Sequence, residues 1–372
     1  MKIKEKVFDG HIHTLMRVPV RESLYLFDRE FEELGVDKFC FASCPLHEHG
    51  DVEMDKLQNM KCLYYKAIYS PDAYAYCDLE HDFDMPLDQR AEYYLNQAKE
   101  NLAHGFDGFK ILEGMPKYLK KLGLKLSDAV YEPFWAYLEE NGVPVLIHLG
   151  HPKRFWDRKR VGEYWIKRGC FYGEGSGYPA FYEIIEDMFA VMDKHPQLKL
   201  TLAHFGFMSE DYDLAERFMK YPNTKFDVTP GGEQLINMLN GDKRQTWIDF
   251  IIKNIDRIKY GTDLYQFEYV NEKQWLKAIH TRPDMIRQVF GSNKEHDYAG
   301  DKFVGIKLPK KLRKKIYRDN LLNELGEPKP IDYDWAIDKI KKLREEFSDV
   351  ETLDGYDLMC MENDLTAIKE EE

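Results

Sequence analysis

Apolar residues gather into short runs that alternate with longer segments patterned at helical spacing. Lys6–Asp9, Gly35–Ala42, Lys61–Tyr69, Phe106–Leu112, Val143–Leu149, Leu198–His204, Thr224–Thr229 and Arg257–Thr262 read as strands. Asp88–His104 reads as a helix begun by Asp88 and stopped at Gly105. Ser127 starts another that runs to Asn141, before Gly142. Further helices cover Pro179–Lys194, Glu210–Lys220 and Gln245–Asn254. Eight strands, each parted from the next by a helix or a long loop, imply parallel pairing through crossover connections. Eight such units suit a closed (β/α)8 TIM barrel. The rival is an open doubly wound sheet, which favours a Gly-rich loop after its first strand; none follows Asp9, and the Gly173–Gly177 cluster reads as a flexible connection.

The pattern divides the chain at Gly326, which ends a helix over Pro309–Leu325. Residues 1–326 form the barrel, with loop insertions at Pro152–Tyr178 after strand five and Gln266–Val304 after strand eight. Residues 327–372 form a C-terminal extension. It begins with the linker Pro328-Lys329-Pro330, continues in an amphipathic helix over Asp334–Phe347, and ends in an acidic tail over Glu351–Glu372. Trp335, Ile337, Ile340 and Leu343 share one face of that helix, which should pack on the barrel or on a second copy in a homo-oligomer.

Composition narrows the function. The formal net charge is -13, with 66 acidic against 53 basic residues, which argues against a nucleic-acid partner. Apolar runs fall short of a membrane span, and the polar start Met1–Glu5 shows no secretory signal, so a cytoplasmic location is expected. The 6 cysteines lack a CxxC spacing and read as free thiols.

A parallel barrel carries its chemistry at the C-terminal ends of its strands, so polar residues that close apolar strands draw attention. Strand one ends in Asp9-Gly10-His11-Ile12-His13. Side chains alternate along a strand, so His11 and His13 point the same way and form a pair of potential metal ligands. His148 closes Val143–Leu149, His204 closes Leu198–His204, Asp263 follows Tyr260-Gly261-Thr262, and Lys110 lies within Gly108–Leu112. Each has a structural reading alone, as a core histidine, a helix cap or an ion-pairing lysine. Together they point to a site at the barrel mouth. His151 stands three residues past His148 and can line the pocket. The first insertion is basic and aromatic, and Arg154, Arg158 and Arg160 are candidates for holding a substrate carboxylate. His47 and His49 form a second HxH in a loop, where a ligand role is not expected.

The segments FDGHIHT, GFDGFKIL, VPVLIHLGHP, LTLAHFG and YGTDLY, with the closing IYRDNLLNELG, resemble the amidohydrolase superfamily over roughly residues 6–326. The texture is most similar to its amidohydrolase-related branch, which includes aminocarboxymuconate-semialdehyde decarboxylase. The resemblance implies that His11, His13, His148 and Asp263 hold one divalent metal ion. Zinc suits that donor set first, with manganese, iron or cobalt as alternatives. In two-metal relatives the strand-four lysine is carbamylated and the strand-six histidine binds the second ion, roles that would fall to Lys110 and His204. In the decarboxylase-like branch the strand-six histidine acts on substrate. One ion is the expectation, with Lys110 an unmodified amine paired with an acidic group. The activity implied is hydrolysis of a small, acidic amide- or lactone-type substrate, with Asp263 taking the proton of the attacking water and His204 polarising the carbonyl. Decarboxylation of a small carboxylic acid at the same site is the alternative. A barrel that binds without catalysing would have lost ligands, and every ligand type is present here.

Overall fold

The computed structural model describes residues 5–14, 18–49, 51–230, 233–264, 272–347 and 352–371. Eight strands pair in parallel in chain order: β1 (Val7–His13), β2 (Val36–Ala42), β3 (Ala73–Cys77), β4 (Gly108–Ile111), β5 (Pro144–Ile147), β6 (Lys199–Leu202), β7 (Lys225–Asp227) and β8 (Ile258–Lys259). Past β8 the chain runs on beside β1. Ile12 bridges Leu264 in parallel, Gly10 N donates to Tyr260 O at 3.2 Å, and His13 N donates to Leu264 O at 2.9 Å. The sheet thus curls into a nearly closed barrel. Space at Gly10 on this seam is tight: a Cβ there would lie 2.8 Å from the Leu321 side chain and 3.2 Å from Tyr260 O.

One expected strand is a helix. Lys61–Ile68 of that run lies in the helix Gln58–Ile68, with Tyr69 just past its end, and the third strand is the later run Ala73–Cys77. Every residue from Gln58 to Ala67 is buried, so this helix has no polar face to give it a 3.6-residue signature. Its Tyr-rich run therefore reads as strand. Ser127 does not cap a helix either. Its hydroxyl bonds Asp187, and the helix begins at Glu132.

Leu353–Glu371 is a helix, and its Leu358, Met361 and Leu365 join the same core as Tyr64 and Tyr65. The helix Tyr333–Glu346 packs on the barrel through Ala336 and Ile340, while Trp335 stacks on His104 with ring centroids 4.6 Å apart. Asp357 fixes the last helix. It is fully buried, accepts Val20 N at 2.9 Å at the start of the helix Val20–Leu34, and pairs with Lys61 at 2.9 Å.

The barrel end opposite the mouth is sealed by charge. Glu324, on the closing helix Asn320–Leu325, takes Lys225 at 3.0 Å and also Lys259, whose Nζ donates to Thr201 Oγ1 at 2.7 Å. The second insertion supplies the helix Glu272–Gly291 and a hairpin of Glu295–Tyr298 with Asp301–Val304. Among the described residues, no helix is long and apolar enough to cross a membrane.

Removing one partner of a buried ion pair leaves the other charge stranded, at a cost of about 3–5 kcal/mol. Asp357→Ala should lose that much stability in urea denaturation, and Lys61→Met combined with Asp357→Leu should recover most of it. A loss under about 1 kcal/mol for Asp357→Ala, the range of exposed pairs, would show that the pair does not anchor the extension.

Candidate metal centre

The alternation of β1 places His11 and His13 on one side of the strand, with their Nε2 atoms 3.1 Å apart. Asp263 comes to them across the seam, where its N donates to His11 O at 2.8 Å. Its Oδ1 lies 3.5 Å from His11 Nε2 and 3.2 Å from His13 Nε2. All three residues are buried, and their ligand atoms lie within 4.8 Å of one another. Bonds of about 2.0–2.2 Å to a tetrahedral ion put neighbouring donors about 3.4 Å apart, so this set has the right span.

The far sides of both rings are occupied. His11 Nδ1 is 2.8 Å from Asp227 Oδ2, and His13 Nδ1 is 2.7 Å from Ala42 O. Both partners are acceptors, so each Nδ1 carries a proton and Nε2 is the nitrogen left to face an ion. Gly261 makes this packing possible, since a Cβ there would lie 2.8 Å from both His11 Cβ and Thr229 Cγ2. His148 continues the β4–β5 ladder, its N donating to Ile111 O at 2.9 Å. Its Nε2 is buried and, among the described residues, has no hydrogen-bond partner. His148 is not among the three donors that lie within 4.8 Å of one another, but a buried imidazole nitrogen without a partner at the same barrel mouth fits a fourth donor. Burial, with His204 next to it, holds His148 well below the usual histidine range, in the neutral form that ligates. Burial does the same for His11, aided by Lys110. The buried His11–His13–Asp263 group suits a divalent ion.

The Lys110 amine lies 3.0 Å from His11 Nε2 and, among the described residues, forms no ion pair with a carboxylate, contrary to the expected pairing. His204 stands at the mouth, its ring centroid 4.9 Å from His148 and 5.6 Å from His11. Burial lowers it to about 4. His151 lies 5.0 Å from His148 and stacks on Tyr172 of the first insertion at 5.4 Å. Burial and His204 lower it to about 3. The arginines of that insertion pair with glutamates: Arg154 lies 3.3 Å from Glu233, Arg158 3.4 Å from Glu163, and Arg160 2.7 Å from Glu210, the last two pairs in solvent. His47 and His49 lie on a hairpin strand, Leu46–His49, and their side chains fall outside the described residues.

Three residues of the site were not singled out from the sequence. Asp227 closes the strand Lys225–Asp227, so the strand-end rule that found His148 also applies to it. Thr229 follows two residues later. Arg282 has no such signal. It reaches in from the helix Glu272–Gly291, with Nη1 3.0 Å from Asp263 Oδ2 and a further bond to the Asp263 carbonyl. Burial alone would raise the Asp263 carboxyl, but His204 and Arg282 outweigh it and hold it well below the usual range.

Residues 86–320, more than half of the chain, match the amidohydrolase family. The chain belongs to that family. No curated protein matches its sequence. Among solved structures it is similar to an uncharacterised TIM-barrel protein from Bordetella bronchiseptica, at TM-score 0.53 and 14% identity, covering 87% of this chain and 100% of that one. An amidohydrolase II is similar at TM-score 0.51 and 14% identity, over 86% of this chain and 100% of the other. A 2,6-dihydroxybenzoate decarboxylase from Rhizobium follows at TM-score 0.45 and 16% identity, over 86% and 98%. At these identities the first two likenesses establish the barrel. Family membership and the buried donor set together make this a metal-dependent enzyme of the amidohydrolase family.

Burial alone would lower His13, but Cys44, whose Sγ lies 3.1 Å from Nδ1, and Asp263 outweigh it and push it up to about 9. An arriving ion must displace that proton. Chelator competition should therefore show zinc affinity falling roughly tenfold per unit as pH drops from about 8 to about 6. A flat profile would place the ion away from His13.

Proposed function

We propose that this amidohydrolase-family enzyme hydrolyses a small, acidic amide- or lactone-type substrate with one divalent ion, zinc first, held by His11, His13, His148 and Asp263. The observation that carries the reading is the buried His11–His13–Asp263 set beside the bare Nε2 of His148. When bound there, a divalent ion supplies Lewis acidity and makes water a nucleophile at neutral pH. Two cationic side chains, Lys110 and Arg282, border the same donors on a chain that is acidic overall. They favour an anionic substrate more than the solvated Arg158 and Arg160 do, because a charge in a dry site interacts more strongly than one in water.

In the reaction, the oxygen of water bonds to the acyl carbon and gives its proton to the Asp263 carboxylate. The C–N or C–O bond then breaks, and Asp263 returns the proton to the leaving nitrogen or oxygen. Arg282 orients Asp263 through Oδ2, which leaves Oδ1 turned to the histidines. His204, off the three-donor cluster, contacts the substrate.

The roles separate by mutation. His204→Asn should keep its metal and lose roughly a hundredfold or more in turnover. Asp263→Asn should lose both, because a neutral amide is a poorer ligand and a poor proton acceptor. Metal content and turnover are read together, on a hit from a library of small amides and lactones bearing carboxylates. Carbon dioxide release without uptake of water would overturn hydrolysis in favour of decarboxylation, and loss of metal from His204→Asn would make His204 a ligand.

A further inference from the structure

We infer that Asp227 and Thr229 are positioning residues that fix the tautomer of His204, so that its Nε2 presents a lone pair to the substrate. The inference deepens the proposed hydrolase reading by naming what the substrate must offer at that point: an N–H or O–H donor.

Counting protons between Asp227, Thr229 and His204 fixes which group donates. Asp227 Oδ1 accepts from Thr229 Oγ1 at 2.5 Å, from His204 N at 2.7 Å and from Thr229 N at 3.2 Å. A hydroxyl has one proton, and that of Thr229 is committed to the carboxylate. Its oxygen can then only accept. His204 Nδ1 lies 3.0 Å from it and must be the donor. A neutral imidazole carries one N–H, so with the proton on Nδ1 the outer nitrogen, Nε2, is an acceptor. In this state His204 cannot polarise a carbonyl oxygen, the role the sequence suggested, because two acceptors would face each other. An amide N–H or a hydroxyl beside the scissile bond satisfies it instead.

The backbone shows the same commitment. His204, Phe205 and Phe207 have φ of 55°, 52° and 55°, with Gly206 at 59° between them. Left-handed geometry is costly for a non-glycine residue, and such strain persists where surrounding structure over-determines it. Here Asp227 and Thr229 hold the first amide of the turn, and Phe205 stacks on Phe226 at 4.5 Å. The other oxygen of Asp227 faces His11 Nδ1 at 2.8 Å, so one carboxylate aims a ring of the donor set and the substrate-side ring together.

The test needs no substrate. Zinc-loaded protein labelled with ring-15N histidine is examined by long-range 1H–15N correlation, with His204 assigned by its absence in His204→Asn. Wild type should show the proton on Nδ1. Thr229→Val should move it to Nε2 with zinc affinity unchanged, and Thr229→Ser should restore it to Nδ1. Asp227→Asn should weaken zinc by roughly 10–100-fold, the usual effect of losing a ligand's outer partner. A wild-type Nε2–H tautomer overturns the inference even if no variant folds, as does a Thr229→Val spectrum like wild type. Failure of the hydrolase reading would appear separately, in the substrate screen.

Discussion

The site depends on the seam where the last strand of the barrel returns to the first. His11 and His13 belong to β1, and Asp263 follows β8, so the donor set exists only when these distant stretches meet. Backbone bonds do the joining: Gly10 N to Tyr260 O, Asp263 N to His11 O, and His13 N to Leu264 O. The buried carboxylate of Asp9 reinforces them, its Oδ1 accepting Thr262 N at 3.0 Å and its Oδ2 the Thr262 hydroxyl at 2.6 Å. Burial pushes the Asp9 carboxyl up to about 7 despite these bonds, which shows how dry the seam is. An ion bound at the site would cross-link the same two strands, so metal affinity and barrel closure are one linked equilibrium.

The two ends of the barrel use buried charge differently. At the closed end, the single carboxylate of Glu324 is shared by Lys225 and Lys259. At the mouth, charge and lone pairs are left over. Among the described residues His148 Nε2 has no partner, and His11 Nε2 faces an ammonium as well as the donors beside it.

What was legible in the sequence followed from strand ends. An imidazole or carboxylate closing an apolar strand is visible because burial on both sides makes the preceding run continuous, and His11, His13, His148, His204 and Asp263 all announce themselves that way. Local pattern failed where burial came from elsewhere in the chain. The helix Gln58–Ile68 is covered all round, partly by the C-terminal helix, so its periodicity vanished. The helix Leu353–Glu371 looked like a solvated tail because acidic residues are interspersed with its apolar ones, yet one of those acids, Asp357, is an internal anchor for Lys61. Helix and misread strand thus explain each other, a relation no window of neighbouring residues contains.

The same limit governs which cations matter. Counting basic residues pointed to the first insertion, but Arg158 and Arg160 are tied to glutamates in solvent, where an ion pair is worth about 0–1 kcal/mol. That insertion instead brings Phe155 and Tyr172 against His151, excluding water from the wall of the site. Excluding water strengthens every charge that remains inside. Lys110, fully buried on β4, and Arg282, half-buried against Asp263, therefore set the local potential although neither belongs to a basic cluster. The insertion's Phe155 and Tyr172 wall the site at His151, while its Arg158 and Arg160 face the solvent.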